Sequence, residues 1–393
     1  MAASGRIYNR YNKNIVDIKP LPPSALVSDI FECVIVFFSS TNNTRYVAQH
    51  ITSALKAQTH VIGAKIDVHT YDGFELFKQA DLGAPGDFPP VVNLTQNQNW
   101  QQFFTSLRTA QLFGVGCYVY AMQIPPHILR FFHKSIISDQ DLKSIKYFFT
   151  FATHGSLPNP ATNQLTHHLQ QRLKSIFCGS IDIRCPENVP PLLPRKTQQK
   201  DLWDRQQIIK LCTFENDLLK RIQSFSYKGE KRRTFSDISF IQRVIHSALG
   251  KVTIDIDKCQ SCGNCERVCP YNAIYLRKNG LNVRILEIDE SRCQRCARCY
   301  NYCAYEAIQF KSWDTQLRVR YRGPEFKTKY SLESGQEEFD IREQPLVDVG
   351  KLPSIPAIFS RISIGKSRYV YLLIILSIII YIIYQYNLTE NYD

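Results

Sequence analysis

Between residues 31 and 190 the chain alternates short apolar runs with stretches where apolar residues recur every three or four positions. FECVIVFFSS, starting at Phe31, is dense in β-branched and aromatic residues and reads as a buried strand. TRYVAQHITSALKAQ then places Val47, Ile51 and Leu55 on one helical face. Further strands are expected at KIDVHTYDG, FGVGCYVYAM, YFFTFATHG and SIDIRC, with helices notably at PHILRFFHKSI and ATNQLTHHLQQRLKSI. Five strands separated by helices predict βαβ units joined into one parallel, doubly wound α/β sheet. DLWDRQQIIKLCTFENDLLKRIQSF is expected to close this domain, which then spans 31–226.

The pattern changes on either side. Residues 1–30 read as a flexible arm, with no apolar core for a secretory signal. Residues 227–251 form a linker that opens with the basic run Tyr227–Arg233. Residues 252–311 are dense in cysteine with only short helices, and 312–365 show no period and read as an irregular extension. Tyr369–Tyr386 is a run of 18 uncharged residues, near the ~20 that cross a bilayer, with tyrosines at both ends. Arg361, Lys366 and Arg368 precede it and only acids follow. The reading is a single-pass, tail-anchored membrane protein whose body faces the cytosol.

The net charge of +13 is clustered rather than spread. No nucleic-acid motif accompanies the basic runs, so acidic lipid headgroups and acidic redox partner proteins are the expected counterparts, and nucleic acid is not. The 13 cysteines are odd in number and eight fall into two regular arrays, which argues for a reducing compartment and metal-binding thiolates. Cys33, Cys117, Cys178, Cys185 and Cys212 sit in apolar surroundings and read as packing residues.

The arrays are CQSCGNCERVCP, with Cys259, Cys262, Cys265 and Cys269, and CQRCARCYNYCA, with Cys293, Cys296, Cys299 and Cys303. Each cysteine recurs 34 residues on, and YNAI after the first array returns as YEAI after the second. Three thiolates at this spacing wrap one corner of a cubane while the fourth is displaced along the chain. Structural zinc also takes C-x2-C pairs, but a triplet plus a distant single suits its four-ligand sites poorly. Residues 252–311 closely resemble bacterial-type two-cluster ferredoxins, in which the fourth cysteine crosses to the other cluster. That resemblance implies one [4Fe–4S] cluster on Cys259, Cys262, Cys265 and Cys303, and a second on Cys293, Cys296, Cys299 and Cys269. Ala304 stands where the family usually has proline, whereas Pro270 is kept.

The whole order resembles the flavodoxin–ferredoxin fusion proteins of anaerobes. Family members carry a Ser-Gly-Thr-Gly-Asn-Thr-like turn after the first strand, where this chain has Ser39, Ser40, Thr41, Asn42, Asn43 and Thr44. The resemblance implies that this turn holds the phosphate of flavin mononucleotide (FMN) at a helix N-terminus. It continues in Tyr118–Phe132, which includes Tyr120, Ala121 and Met122, and in Phe151–Ala161, where Thr153, His154 and Gly155 stand beside the expected flavin ring. Both family glycines are replaced, by Ser40 and Asn42; of the two, Asn tolerates the left-handed backbone better. A polar turn in a fold that has lost its flavin is the competing reading. His154 by itself reads as a solvated loop histidine. Gly114 and Gly116 lack the third glycine of a dinucleotide fingerprint, and Trp100, Trp203 and Trp313 read as packing residues. Trp100, in a loop expected between 85 and 103, also stands where it could cover the ring.

No catalytic acid, base or nucleophile stands out, and electron relay requires none. The expected function is electron transfer between FMN and two [4Fe–4S] clusters at a membrane surface. The alternative is a non-catalytic, membrane-tethered iron–sulfur protein whose flavodoxin-like domain is an empty interaction module.

Overall fold

The computed structural model describes residues 30–57, 64–82, 94, 97–119, 124–155, 161–185, 203–224, 251–278 and 284–310, and short strands at 328–330, 337–339 and 346–347. Five parallel strands, β1 (Ile30–Phe38), β2 (Lys65–Asp72), β3 (Leu112–Tyr118), β4 (Tyr147–His154) and β5 (Ile176–Arg184), pair in the order β2-β1-β3-β4-β5. This is the flavodoxin-like doubly wound order, whose topological switch lies between β1 and β3.

Both faces of the sheet are covered. Alternate residues of β1 divide between them: Val34, Val36 and Phe38 enter one core, Cys33, Ile35 and Phe37 the other. The second core is completed by α1 (Asn43–Ala57) and α6 (Arg205–Ser224) through Val47, Ile51, Leu211 and Leu218. The first is covered by α2 (Gly73–Gln79), α3 (Gln98–Thr109), α4 (Pro126–Phe131) and α5 (Ala161–Arg172). Gly114 and Gly116 belong to β3, and a methyl on either would overlap the ring of Phe149 or Phe151 across the sheet. Aromatic packing is therefore what these two glycines serve.

Three expectations change. The stretch expected as loop from 85 to 103 holds the start of α3, where Trp100 is fully buried, stacks on Phe131 at 5.4 Å and donates its indole N–H to Leu76 O at 3.0 Å. Trp100 is core and does not cover a ligand. Helix α5 ends at Arg172, and Ile176–Gly179, read as the end of that helix and a connector, opens β5. A register shift opposite Phe148 and Phe149, with Gly179 at φ 136°, interrupts the strand alternation there and hid it in the sequence. Helix α2 is too short for its period to show.

The cysteine-rich module is built twice over. β6 (Val252–Ile254), α7 (Asn264–Val268) and β7 (Ile274–Lys278) recur as β8 (Arg284–Ile288), α8 (Arg298–Tyr302) and β9 (Ile308–Phe310), with β6 pairing β9 and β7 pairing β8 antiparallel. The repeat extends to single dihedral angles. Ser261 and Arg295 have φ 48° and 53°, Gly263 and Ala297 74° and 61°, Asn272 and Glu306 49° and 55°, each pair at the offset of the cysteines. The module joins the first core: Tyr271, Ala273, Ile274 and Tyr300 pack continuously with Phe74 and Phe77 of α2.

The arm 1–29, the linker 225–250 and the apolar segment Tyr369–Tyr386 lie outside the described residues, as do Trp313 and Tyr120–Met122. Among the described residues no helix is long and apolar enough to cross a membrane.

Candidate metal centre and its junction with the sheet

Each array wraps around a left-handed loop and then enters a short helix. Both loops close through equivalent bonds: Cys259 N–H donates to Asp255 O at 3.1 Å and Cys293 N–H to Asp289 O at 3.0 Å. The fourth cysteine ends each helix, and its sulfur accepts a backbone N–H, from Ala273 to Cys269 at 3.4 Å and from Ala307 to Cys303 at 3.3 Å.

The tertiary fold crosses the two halves. Burial pushes the Cys296 thiol up to about 12, with Cys269 and Cys293 adding to it, and raises Cys293 to about 11, with Cys269 again a contributor. Cys299 is raised further by burial and by Cys296, Cys293 and Cys269, with Cys265 of the other triplet the last contributor. On the other side, burial raises Cys265 to about 11 and the nearby Cys303 and Cys259 add to it. Cys269 thus stands with the second triplet and Cys303 with the first. Cys262 is exposed at the outer end of its loop. The inner set lines a pocket together with Val252, Tyr271 and Arg298.

The donor set fits iron–sulfur cubanes. Buried thiols that raise one another's pKa are stable together as thiolates only around a strongly cationic group. A single zinc ion, with bonds of ~2.3 Å, would draw its sulfurs to about 3.8 Å of one another. Among the described residues the one trio of His, Cys, Asp or Glu donor atoms lying within 4.8 Å of one another is His50, Cys212 and Glu215, none of them in the arrays. The array sulfurs are spread more widely than one ion requires. Cys33, Cys117, Cys178 and Cys185 are buried as packing residues, whereas Cys212 is half-buried beside the His50–Glu215 pair.

The inner set faces the carboxyl ends of β1 and β3, the switch point of the sheet. Tyr271, two residues beyond Cys269, is fully buried against Phe74, Phe77 and His127. Its hydroxyl meets Tyr118 Oη, at the end of β3, at 3.3 Å and hydrogen-bonds His127 Nε2. Burial, with the Arg130 charge beside it, lowers the His127 imidazole to about 3, so it stays neutral. Around this centre Asp81 accepts from Arg292 at 2.6 and 3.2 Å and from Asn272 at 3.0 Å. Lys78 Nζ donates to Glu266 O at 3.1 Å and to Arg267 O at 2.8 Å. Arg298 Nη1 donates to Ser39 O at 3.1 Å.

The turn Ser39–Thr44 lies under this junction. Asn42 adopts φ 66°, the left-handed conformation for which the resembling family uses glycine. Thr44 Oγ1 and Thr153 Oγ1 meet at 2.8 Å, which brings two of the expected flavin segments together. His154 is half-buried, its Nδ1 3.0 Å from Gly155 O. Ser39 Oγ is buried without a hydrogen-bond partner, and the first turn of α1 carries no acid. These features fit an anionic phosphate. They also show a turn shielded from solvent, with Ser39, Ser40, Thr41, Asn43 and Thr44 each under 8 % exposed.

Tyr118, His127, Tyr271, Asp81, Arg292 and Arg298 did not stand out in the sequence. The signal for some of them was there as broken symmetry. The second array carries Arg292, Arg295 and Arg298 where the first has Lys258, Ser261 and Asn264.

Residues 258–307 match the 4Fe–4S dicluster domain family. An uncharacterized polyferredoxin-like protein of Methanocaldococcus jannaschii is 63% identical over 27 residues, 7% of this chain and 17% of that protein. The chain therefore spans about a sixth of that relative's length. Among solved structures, a flavodoxin from the domain Archaea is 11% identical and covers 49% of this chain and 99% of its own, with a TM-score of 0.30. An oxidoreductase from Corynebacterium diphtheriae is 14% identical and covers 50% of this chain and 99% of its own, with a TM-score of 0.37. These superpositions carry no weight of their own; the strand order identifies the flavodoxin-like fold. The chain joins that fold to an iron–sulfur dicluster domain, an arrangement suited to electron transfer.

Proposed function

We propose that the protein is a membrane-anchored electron-transfer protein that relays electrons between FMN at the β1–α1 turn and two [4Fe–4S] clusters. The observation that carries this reading is the seating of the inner thiol set against the switch point, with Tyr271 in contact with Tyr118. When bound, the clusters carry single electrons and the flavin exchanges two-electron for one-electron traffic. Cys269, Cys293, Cys296 and Cys299 hold the inner cluster; Cys259, Cys262, Cys265 and Cys303 hold the outer one. Phe74, Phe77 and Tyr271 keep water from the junction, which lowers the local dielectric and fixes the spacing across it. The exposed loop at Cys262 is the end that meets a partner, and the basic surface favours encounter with acidic redox proteins. Tyr369–Tyr386 crosses the bilayer, with Arg361, Lys366 and Arg368 keeping the body on the cytosolic side.

The closed turn favours a second reading, in which the sheet holds no flavin and serves only to seat the dicluster module. One absorption spectrum separates the two. Full-length protein purified in detergent without oxygen should show flavin bands on top of broad iron–sulfur absorption. Iron–sulfur absorption alone, persisting after incubation with FMN, would leave only the second reading standing.

A further inference from the structure

Two buried polar side-chain atoms beside the Ser39–Thr44 turn have no hydrogen-bond partner. One is Ser39 Oγ, on a residue 4% exposed; the other is Arg298 Nε. They are neighbours, because Arg298 Nη1 donates to the carbonyl of Ser39 itself at 3.1 Å. The guanidinium is held over the ring of Phe74 at 5.9 Å, so its direction is set. Asp72 lies close enough to feel both Arg298 and Arg45, with Glu75 opposing. Asp72 nevertheless takes its hydrogen bond from Phe74 N–H at 2.9 Å, capping α2, and leaves Arg298 Nε unanswered. Buried polar groups in native proteins are almost always partnered, and an arginine N–H, which can only donate, beside a serine hydroxyl that can donate as well calls for an acceptor with several oxygens. Asn42 in its left-handed conformation and the N-terminus of the 15-residue helix α1 face the same place.

Arg298 belongs to the other module. It is the first residue of α8, between Ala297 and the cluster cysteine Cys299, and its backbone N–H bonds the Cys296 thiol. The equivalent position in the first half is Asn264, whose side chain donates to Tyr302 O at 2.7 Å within the module. The arginine is a feature of the second half alone.

We infer that Arg298, supplied by the dicluster module, completes with Ser39 a two-module site for a phosphate monoester, and so ties retention of FMN to the loop that carries Cys296 and Cys299. This rests on the flavin reading for the identity of the ester, but not for the anion site itself. Loss of the inner cluster would free the loop and with it one wall of the phosphate site.

The test uses full-length protein in detergent, clusters intact, titrated with FMN, with riboflavin and with inorganic phosphate, by flavin fluorescence and calorimetry. Arg298→Ala should weaken FMN roughly tenfold to a hundredfold, the range expected for losing a charge-assisted hydrogen bond. Riboflavin, which lacks the phosphate, should bind as before, and iron content should not change. Ser39→Ala should weaken FMN several-fold without lowering the unfolding temperature. If Arg298→Ala sheds iron, Arg298→Lys, which keeps the charge but not the fork, carries the same comparison and should fall between. Wild-type affinity for FMN in the substituted protein, or equal loss of FMN and riboflavin, overturns the inference. Binding of phosphate that depends on Arg298, with neither flavin bound, upholds the anion site and removes the flavin reading instead. Binding of none of the three probes overturns both.

Discussion

His127 shows how much one residue's surroundings decide. Its imidazole is packed against Phe74, Phe77 and Tyr271, with the Arg130 charge nearby, and burial lowers it from an ordinary value near 6.5 to about 3. The unfolded chain takes up a proton near 6.5 and the folded one does not until about 3, so folding excludes a proton throughout that window. Stability should therefore fall as pH drops below 6.5, by about 1.4 kcal/mol per pH unit from this group. Urea unfolding between pH 7.5 and 5.5 should show a shallower slope in His127→Gln; an identical slope would remove the assignment. Gly116→Ala forces a methyl into the Phe151 ring and should cost about 1–3 kcal/mol, read from the unfolding midpoint. Cys262→Ser should lower bound iron, because it removes one thiolate of the outer set; unchanged iron would refute its place there. The thiols themselves were legible, since their spacing is covalent and local. The role of His127 was not, because only the fold brings Tyr271 to it.

At the scale of elements, the cysteine module is a duplication whose equivalent positions meet different surroundings. Tyr271 is 1% exposed and its counterpart Tyr305 is 48% exposed. The same residue type at the same offset has opposite surroundings, and the docking of α2 is the reason. That helix presents Phe74 and Phe77 inward and Lys78 and Asp81, at and just past its end, to the module. Asp81→Ala removes the Arg292 and Asn272 contacts. These are partly exposed, so the junction should loosen by only about 1 kcal/mol. Amide exchange should quicken in α2 and at residues 271–273 but not around Cys259 and Cys262, with iron content intact. Uniform exchange across the module would mean that the pair contributes nothing to docking. The five strands were readable because β-branched and aromatic runs of that length, between helical stretches, have few other uses. The start of β5 was missed where a register shift breaks the strand alternation, and α2 because seven residues are under two turns.

For the molecule as a whole, deleting Tyr369–Tyr386 should move the protein from the membrane fraction to the supernatant, and continued sedimentation with membranes would refute the anchor. What the sequence determined alone is the inventory: the α/β alternation, the duplicated thiol arrays and the 18-residue apolar run, each a property of neighbours along the chain. What only the tertiary structure decided is who meets whom across long separations. Cys269 stands with Cys293, Cys296 and Cys299, Tyr271 with Tyr118, and Arg298 with Ser39. Such pairings depend on how two folded units bury their surfaces against each other, and no local pattern encodes a contact between residues 39 and 298. The physical reason is that spacing along the chain constrains geometry only over a few residues, whereas desolvation acts on whatever surfaces the completed fold presses together.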